Sequence, residues 1–419
     1  MKVTSFHLMS YPKLPEGFAD EHRSVWVDVD SRLFDSLVVS SAYNEYLDEL
    51  EYAAEMGFDG IGINEHHANG YAMMTSPNLA AMSLARRTRE AALVILGDSV
   101  ALYNPPIRVA EELAMIDCVS GGRVVAGFPV GSPMDTIFAY SQNPVTLRER
   151  YFEGVDLIKR AWTEPDVFSF NGRYNKMRYV NCLPRPLQQP HPPIWVPGGS
   201  SKETWEWACE EDYVYLFLSY FGYKAAQSVM KGYWERRQQL GRDPNPFAGG
   251  YVQFVGVADS EAEALDLYRE PAEYFFNRSL HIHPGFADPP GYKTVGTVRD
   301  GVEGMIERAA RESASRTEMK LTGASKFSFE EMVEKGYVVV GDPGQVAEKL
   351  TQIAVDLNIG QLLLLLHFGN MSRELTMHNI RLTGEKVLPE IQGLFTDKWE
   401  DRWWIKPIAS PVVASGALA

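Results

Sequence analysis

Four consecutive residues, Asn64, Glu65, His66 and His67, close the stretch GFDGIGINEHH at 57–67. Two imidazoles beside a carboxylate and a carboxamide can move a proton near neutral pH or offer ligands to a cation. The same types also fit a polar surface loop in which the carboxylate merely satisfies one histidine. A second group is WVPGGSSKETWEWA at 195–208, with two glycines and two serines ahead of a helical pattern. Small residues at a strand-to-helix junction let an anion approach the backbone N–H groups of the helix start, although such loops also serve as turns and caps. A third is His281-Ile282-His283, whose spacing would set both rings on one face of a strand.

What these groups can do depends on the elements that carry them. Residues 58–63 alternate in the manner of a strand, and the helical pattern of Tyr43, Tyr46, Leu47, Leu50, Ala53 and Ala54 ends at Gly57. Asn64 to His67 therefore fall just past the carboxyl end of a strand, where side chains of an α/β barrel converge. Further strands are expected over 3–9, 92–101, 123–128, 193–197, 213–218, 251–257 and 361–367. Helices are expected over 78–89, 107–119, 146–162, 224–240, 260–278 and 343–357. Strand-helix alternation through about eight units predicts a parallel (β/α)8 TIM barrel with insertions. The first insertion is the loop from Tyr11 to about Arg32; another, over 167–193, reads as a small hairpin. The longest, 281–336, is expected to be an active-site lid with Gly285, Gly291 and Gly296 as hinges. The domain reading is one barrel over 1–395 and a C-terminal extension over 396–419, anchored by Trp399, Trp403 and Trp404.

Composition narrows the function classes. With 419 residues and 45% hydrophobic content, the chain can bury a large core. A formal net charge of −15 argues against a nucleic-acid partner, because phosphate neutralisation needs a basic surface. Cys118, Cys182 and Cys209 form no CxxC pair, so neither a disulfide framework nor a thiolate metal knuckle is expected. The start has no apolar signal core, and the longest apolar run, 362–366, is too short to span a bilayer. A cytoplasmic protein with no membrane contact is the expectation.

Six segments taken in order resemble the bacterial-luciferase-like flavin-dependent monooxygenases. They are FDGIGINEHH, the strand ending near Gly97-Asp98, NPPIRVAEELAMIDCVSGGRVVAGFPVGSP, LRERYFEGVDLIKRAW, WVPGGSSKETWEWA and VGDPGQVAEKLTQIAVDLNIGQLLLLLHFG. The resemblance runs from about residue 3 to 389 and is most similar to the luciferase α chain and to two-component enzymes served by a separate reductase. It implies reduced FMN (FMNH2) as cofactor and O2 as co-substrate. A flavin peroxide would oxygenate a small hydrophobic or aromatic molecule. It further implies an NAD(P)H:flavin reductase partner and a homodimer.

By the resemblance, His66 is the catalytic acid/base, Glu65 orients or tunes its surroundings, and Asn64 faces the flavin. A non-proline cis peptide under the ring would fall at Gly97-Asp98. Gly199, Ser200, Ser201 and Thr204, with Arg148 and Tyr151, would hold the FMN phosphate. Two positions depart from the family pattern: Val130 stands where luciferase has a phosphate-binding arginine, and Pro129 where it has a reactive cysteine. The substrate would be lined by Tyr11, Phe18, Tyr71, Met73, Met74 and Phe221. A deazaflavin-dependent oxidoreductase is the alternative within the superfamily, and a flavin-binding protein without catalysis is another. A metal-dependent barrel hydrolase using Glu65, His66, His67, His281 and His283 comes last, and no metal is expected.

Overall fold

Eight parallel strands close a barrel in the computed structural model, which describes residues 1–294, 296, 298–299, 328–406 and 408. They are β1 (Lys2–His7), β2 (Gly60–Ile63), β3 (Ala92–Leu96), β4 (Val124–Gly127), β7 (Ile194–Gly198), β8 (Val214–Phe217), β9 (Gly249–Val257) and β11 (Gln361–Leu365). Their order is β1-β2-β3-β4-β7-β8-β9-β11, and β11 returns to pair with β1, Val3 beside Leu362. Runs such as ALVIL in β3 and QLLLL in β11 are buried at every position. That continuous apolar pattern belongs to strands covered on both faces, the inner by the barrel core and the outer by helices. The main covering helices are α1 (Ser36–Glu55), α2 (Pro77–Arg87), α3 (Ile107–Ser120), α4 (Pro144–Thr163), α5 (Lys202–Glu211), α6 (Tyr223–Gln239), α7 (Pro343–Leu357) and α8 (Arg373–Leu382).

Most expected elements are present, with three corrections. The third strand stops at Leu96, five residues short, because the chain turns at Gly97 and then forms a 3₁₀ turn at Val100–Leu102. The helix expected over 260–278 is broken into Glu261–Leu267, Arg269–Tyr274 and a π turn at Phe275–Ser279. An unexpected strand, β10 (Val338–Gly341), pairs with the far half of β9, Val338 beside Phe254, taking over the edge that β8 leaves after Tyr251. The hairpin expected over 167–193 is β5 (Phe168–Asn171) with β6 (Lys176–Val180).

Of the expected lid, residues 295, 297 and 300–327 lie outside the described residues. The described part joins the first loop: Ser24 bridges Ile282, and Val25 N–H donates to His281 O at 2.9 Å. Tyr292 OH donates to Gly131 O at 2.7 Å, and Phe286 meets Phe138 edge-on. At the opposite end Trp403 and Trp404 are buried, with Trp404 against Gly60 and Trp403 Nε1 donating to Asp212 O at 2.7 Å. No helix among the described residues is long and apolar enough to cross a membrane.

Candidate active site

The carboxyl ends of β2, β3, β4 and β7 supply the site. After β2, Asn64, Glu65 and His67 are buried and His66 is partly open, its side chain 17% exposed. The Nδ1 atom of His66 lies 2.7 Å from Asp135 Oδ2, on a π turn (Met134–Ala139) that follows β4. Asp135 is itself fixed. Ser132 Oγ donates to Oδ2 at 2.6 Å and His67 N–H to Oδ1 at 2.8 Å. Burial would raise its pKa, yet His66 and these donors together hold it below the usual carboxylate range. With every partner of Asp135 a donor, His66 carries its proton on Nδ1 and keeps Nε2 for exchange. Trp26 and Tyr71 enclose the imidazole edge-on, at ring distances of 4.9 and 5.0 Å.

Glu65 is held by three neighbours. Its Oε2 accepts Ser99 N–H at 2.6 Å, while Oε1 accepts Tyr103 OH at 2.8 Å and faces His67 Nε2 at 3.1 Å. Asp98, fully buried, takes Asn78 Nδ2 at 2.9 Å. Burial, then the nearby Glu65, pushes its pKa well up. Its Oδ1 also accepts Tyr103 OH at 3.3 Å, which braces the end of β3. The cis peptide lies at Leu96-Gly97, one bond before the expected Gly97-Asp98.

Two features fit a planar cofactor with a polar rim. Both side-chain polar atoms of Asn64, Nδ2 and Oδ1, are buried without a partner, an expensive state for a carboxamide. At Gly97 a Cβ would come within 2.0 Å of Gly127 O, and at Gly127 within 2.4 Å of Ile95 O, so only glycines let these two strand ends approach so closely. A third feature fits a phosphate. Arg148 on α4 donates from Nη1 to Thr204 Oγ1 at 2.7 Å and from Nη2 to Ser201 Oγ at 3.0 Å, at the start of α5. The Ser201 side chain does not cap that helix, and exposed Gly199 and Ser200 border it. Glu203 shares the edge of this cradle, accepting from Ser201 Oγ at 3.3 Å and from Thr294.

Tyr151 does not belong to the cradle. It is wholly buried, its OH donates to Phe128 O at 2.7 Å and its ring meets Trp207, because its place on α4 faces the barrel. Of the expected substrate-lining residues, Tyr71 stands beside His66. Phe18 stacks on His22, Tyr11 OH accepts Asp35 N–H and Phe221 meets Tyr337. Met73 and Met74 are buried, and Met74 O accepts His66 N–H at 2.8 Å. Asp135, Trp26, Tyr103 and Tyr220, which pairs with Tyr71 OH, were not expected. Asp135 lies in the loop PVGSPMDT after the fourth strand, where no periodicity or spacing singles it out.

Among the described residues, the histidines of the metal-hydrolase alternative do not gather into a cluster. His281 Nε2 bonds His22 O at 2.8 Å and His283 Nδ1 accepts Gly285 N–H. Among the described residues, one other trio of ligand-type side chains lies within 4.8 Å: His7, Glu49 and His367. There Met9 N–H donates to His7 Nδ1 at 2.8 Å, so Nε2 carries the proton and donates it to Glu49 Oε2 at 2.9 Å. His7 thus has no free lone pair for a cation.

The family model described as luciferase-like monooxygenase matches residues 27–359. The chain belongs to that family. It is 31% identical over 170 residues to the oxygenase component of flavin-dependent trigonelline monooxygenase from Acinetobacter baylyi, covering 39% of this chain and 46% of that one. In that match, as in two others, the chain spans about half the relative's length, 46 to 50%. A match covering 89% of this chain and 91% of the relative, at 24% identity, is the FMNH2-dependent dimethylsulfone monooxygenase of Pseudomonas putida. F420-dependent glucose-6-phosphate dehydrogenases also match, over 48% of each relative and 36 to 37% of this chain. The fold is shared with the oxygenating constituent of 3,6-diketocamphane monooxygenase from Pseudomonas putida, solved with FMN. The TM-score is 0.68 at 17% identity, over 93% of this chain and 98% of that one.

Proposed function

We propose that this family member is the oxygenase component of a two-component, reduced-FMN-dependent monooxygenase acting on a small hydrophobic or aromatic molecule. The carrying observation is Asn64, whose two buried, partnerless polar atoms stand just past the carboxyl end of β2, two residues before His66. Asn64 and Gly97 would hold the flavin ring, and Arg148, Ser201 and Thr204, with Gly199 and Ser200, its phosphate. Arg148 supplies the cationic contact that Val130 cannot. When bound, reduced FMN supplies the two electrons that O2 chemistry requires. His66, directed by Asp135 through Nδ1, gives or takes a proton at Nε2. Trp26 and Tyr71 shield that atom from bulk water. Reduced flavin would come from a separate NAD(P)H:flavin reductase. Exposed apolar side chains on α2 and α3, Leu79, Met115 and Val119, support a homodimer.

Anaerobic titration with reduced FMN, followed by mixing with O2, tests the reading. Wild-type protein is expected to bind reduced FMN and to slow its reoxidation relative to free solution. Arg148→Gln should weaken binding about tenfold to a hundredfold, the range for losing hydrogen bonds to a charged group. His66→Gln should bind normally but change the reoxidation rate. Failure of reduced FMN to bind, or reoxidation as fast as in buffer, defeats the proposal, and a matched titration with reduced deazaflavin then identifies the alternative cofactor.

A further inference from the structure

A cavity of about 220 Å³ opens on the outer side of the site, between the loop after β3 and α4. Its lining includes Arg150, Asn104, Gln142, Asn175 and Tyr103. Arg150 is held over the Tyr174 ring, 4.7 Å from the guanidinium carbon, and bonds no carboxylate among the described residues. Two glutamates on the same helix could have neutralised it, but the β5–β6 hairpin takes both. Glu149 accepts from Arg173 Nη1 at 2.6 Å and from Tyr174 OH. Glu153 accepts the backbone N–H groups of Arg173, Tyr174 and Asn175 at 2.6, 3.0 and 2.6 Å, closing the hairpin turn. The hairpin thereby leaves one guanidinium facing a partly enclosed space whose other polar side chains are three carboxamides and Tyr103.

We propose that this cavity is a second ligand site, specific for a small monocarboxylate anchored by Arg150. A planar guanidinium pairs with a carboxylate through two parallel N–H donors, and the amides of Asn104 and Gln142 can complete the set. A single guanidinium offers one two-pronged contact, which a monocarboxylate fills; a doubly charged phosphate would lack a second cation. Size fits a ring-bearing acid, since an apolar cavity of about 150 Å³ admits benzene. The site also touches the chemistry. Tyr103 is one of the lining residues and its hydroxyl donates to Glu65 at 2.8 Å, and Glu65 in turn faces His67. Occupancy would therefore bear on the group next to His66, whichever flavin the protein uses.

Calorimetric titration of the full-length protein at low salt with benzoate, benzamide and inorganic phosphate tests this, repeated with FMN present. Benzoate is expected to bind one site and keep its affinity when FMN is added, with benzamide and phosphate at least tenfold weaker. Arg150→Gln should lose at least tenfold in benzoate affinity, and Arg150→Lys, which keeps the charge without the fork, should fall between. Unchanged benzoate binding in Arg150→Gln, competition with FMN, or phosphate binding better than benzoate overturns the proposal, as does no binding by the wild type. A thermal melt matching wild type certifies that each variant is folded.

Discussion

Asp135 gives the proposed proton-transfer residue its direction. Both its oxygens accept, so an amide at this position would turn a donor toward His66 Nδ1 and favour the other tautomer. Asp135→Asn is expected to lower product formed per reduced FMN oxidised by about 10²-fold, the lower end for losing general acid–base catalysis. It should also displace the pH profile of that yield while leaving FMN binding intact. Product assays against pH check it; an unmoved profile would reduce Asp135 to packing. His66 could be found from sequence because four polar residues interrupt an apolar strand at its carboxyl end. Asp135 could not, since it reaches the same imidazole from 69 positions away, on a π turn that no periodicity announces. Tyr151, one turn on from Arg148 on the same helix, differs from it in reach: its hydroxyl is taken by Phe128 O, whereas the longer Arg148 extends to Ser201 and Thr204.

At the scale of elements, boundaries were readable where local chemistry marks them. The expected helix over 343–357 is observed unchanged, because Asp342 and Gln345 form a capping box and Asn358 ends it in the left-handed region. Strand β10 escaped notice because VVVG follows a weakly patterned stretch and pairs only with the end of β9. The early end of β3 reflects tertiary contact: LGDSVA continues the apolar run, but Gly97 meets the backbone of β4. This contact carries a prediction. Gly97→Ala must push a methyl into Gly127 O, so it should cost about 1–3 kcal/mol or more. Gly199→Ala, with nothing within 4 Å of its added methyl, should be near neutral. Urea unfolding of both variants decides; equal midpoints would mean that the seam yields.

For the whole molecule, the barrel was predictable because eight alternating units leave few other closures, whereas the cluster that braces the closing seam was not. His7 on β1, Glu49 on α1 and His367 after β11 meet through Glu49 Oε2, 2.9 Å from each imidazole. Burial would raise the Glu49 carboxyl, yet the two histidines bring it down to about 2; burial lowers His7. Both signs point the same way. The unfolded chain takes a proton at His7 near pH 6.5 and at Glu49 near 4.5, while the folded state refuses both until lower pH. Stability conferred by each group is present above its unfolded value and is lost as pH falls. Wild-type stability should decline from pH 7 toward 4, by about 1.4 kcal/mol per pH unit for each proton involved. His7→Gln should flatten the portion between pH 6.5 and 5. Denaturant unfolding at several pH values measures the slope, and an identical slope in the variant rejects the assignment. The arrangement around β9 has a separate consequence. The segment after Val257 leaves the top of β9 and comes back as β10 on the same strand, so its length is independent of barrel closure. Residues can be added to or removed from the stretch between Val257 and Val338 as a cassette without re-registering a barrel strand, which makes it the place to graft a foreign segment.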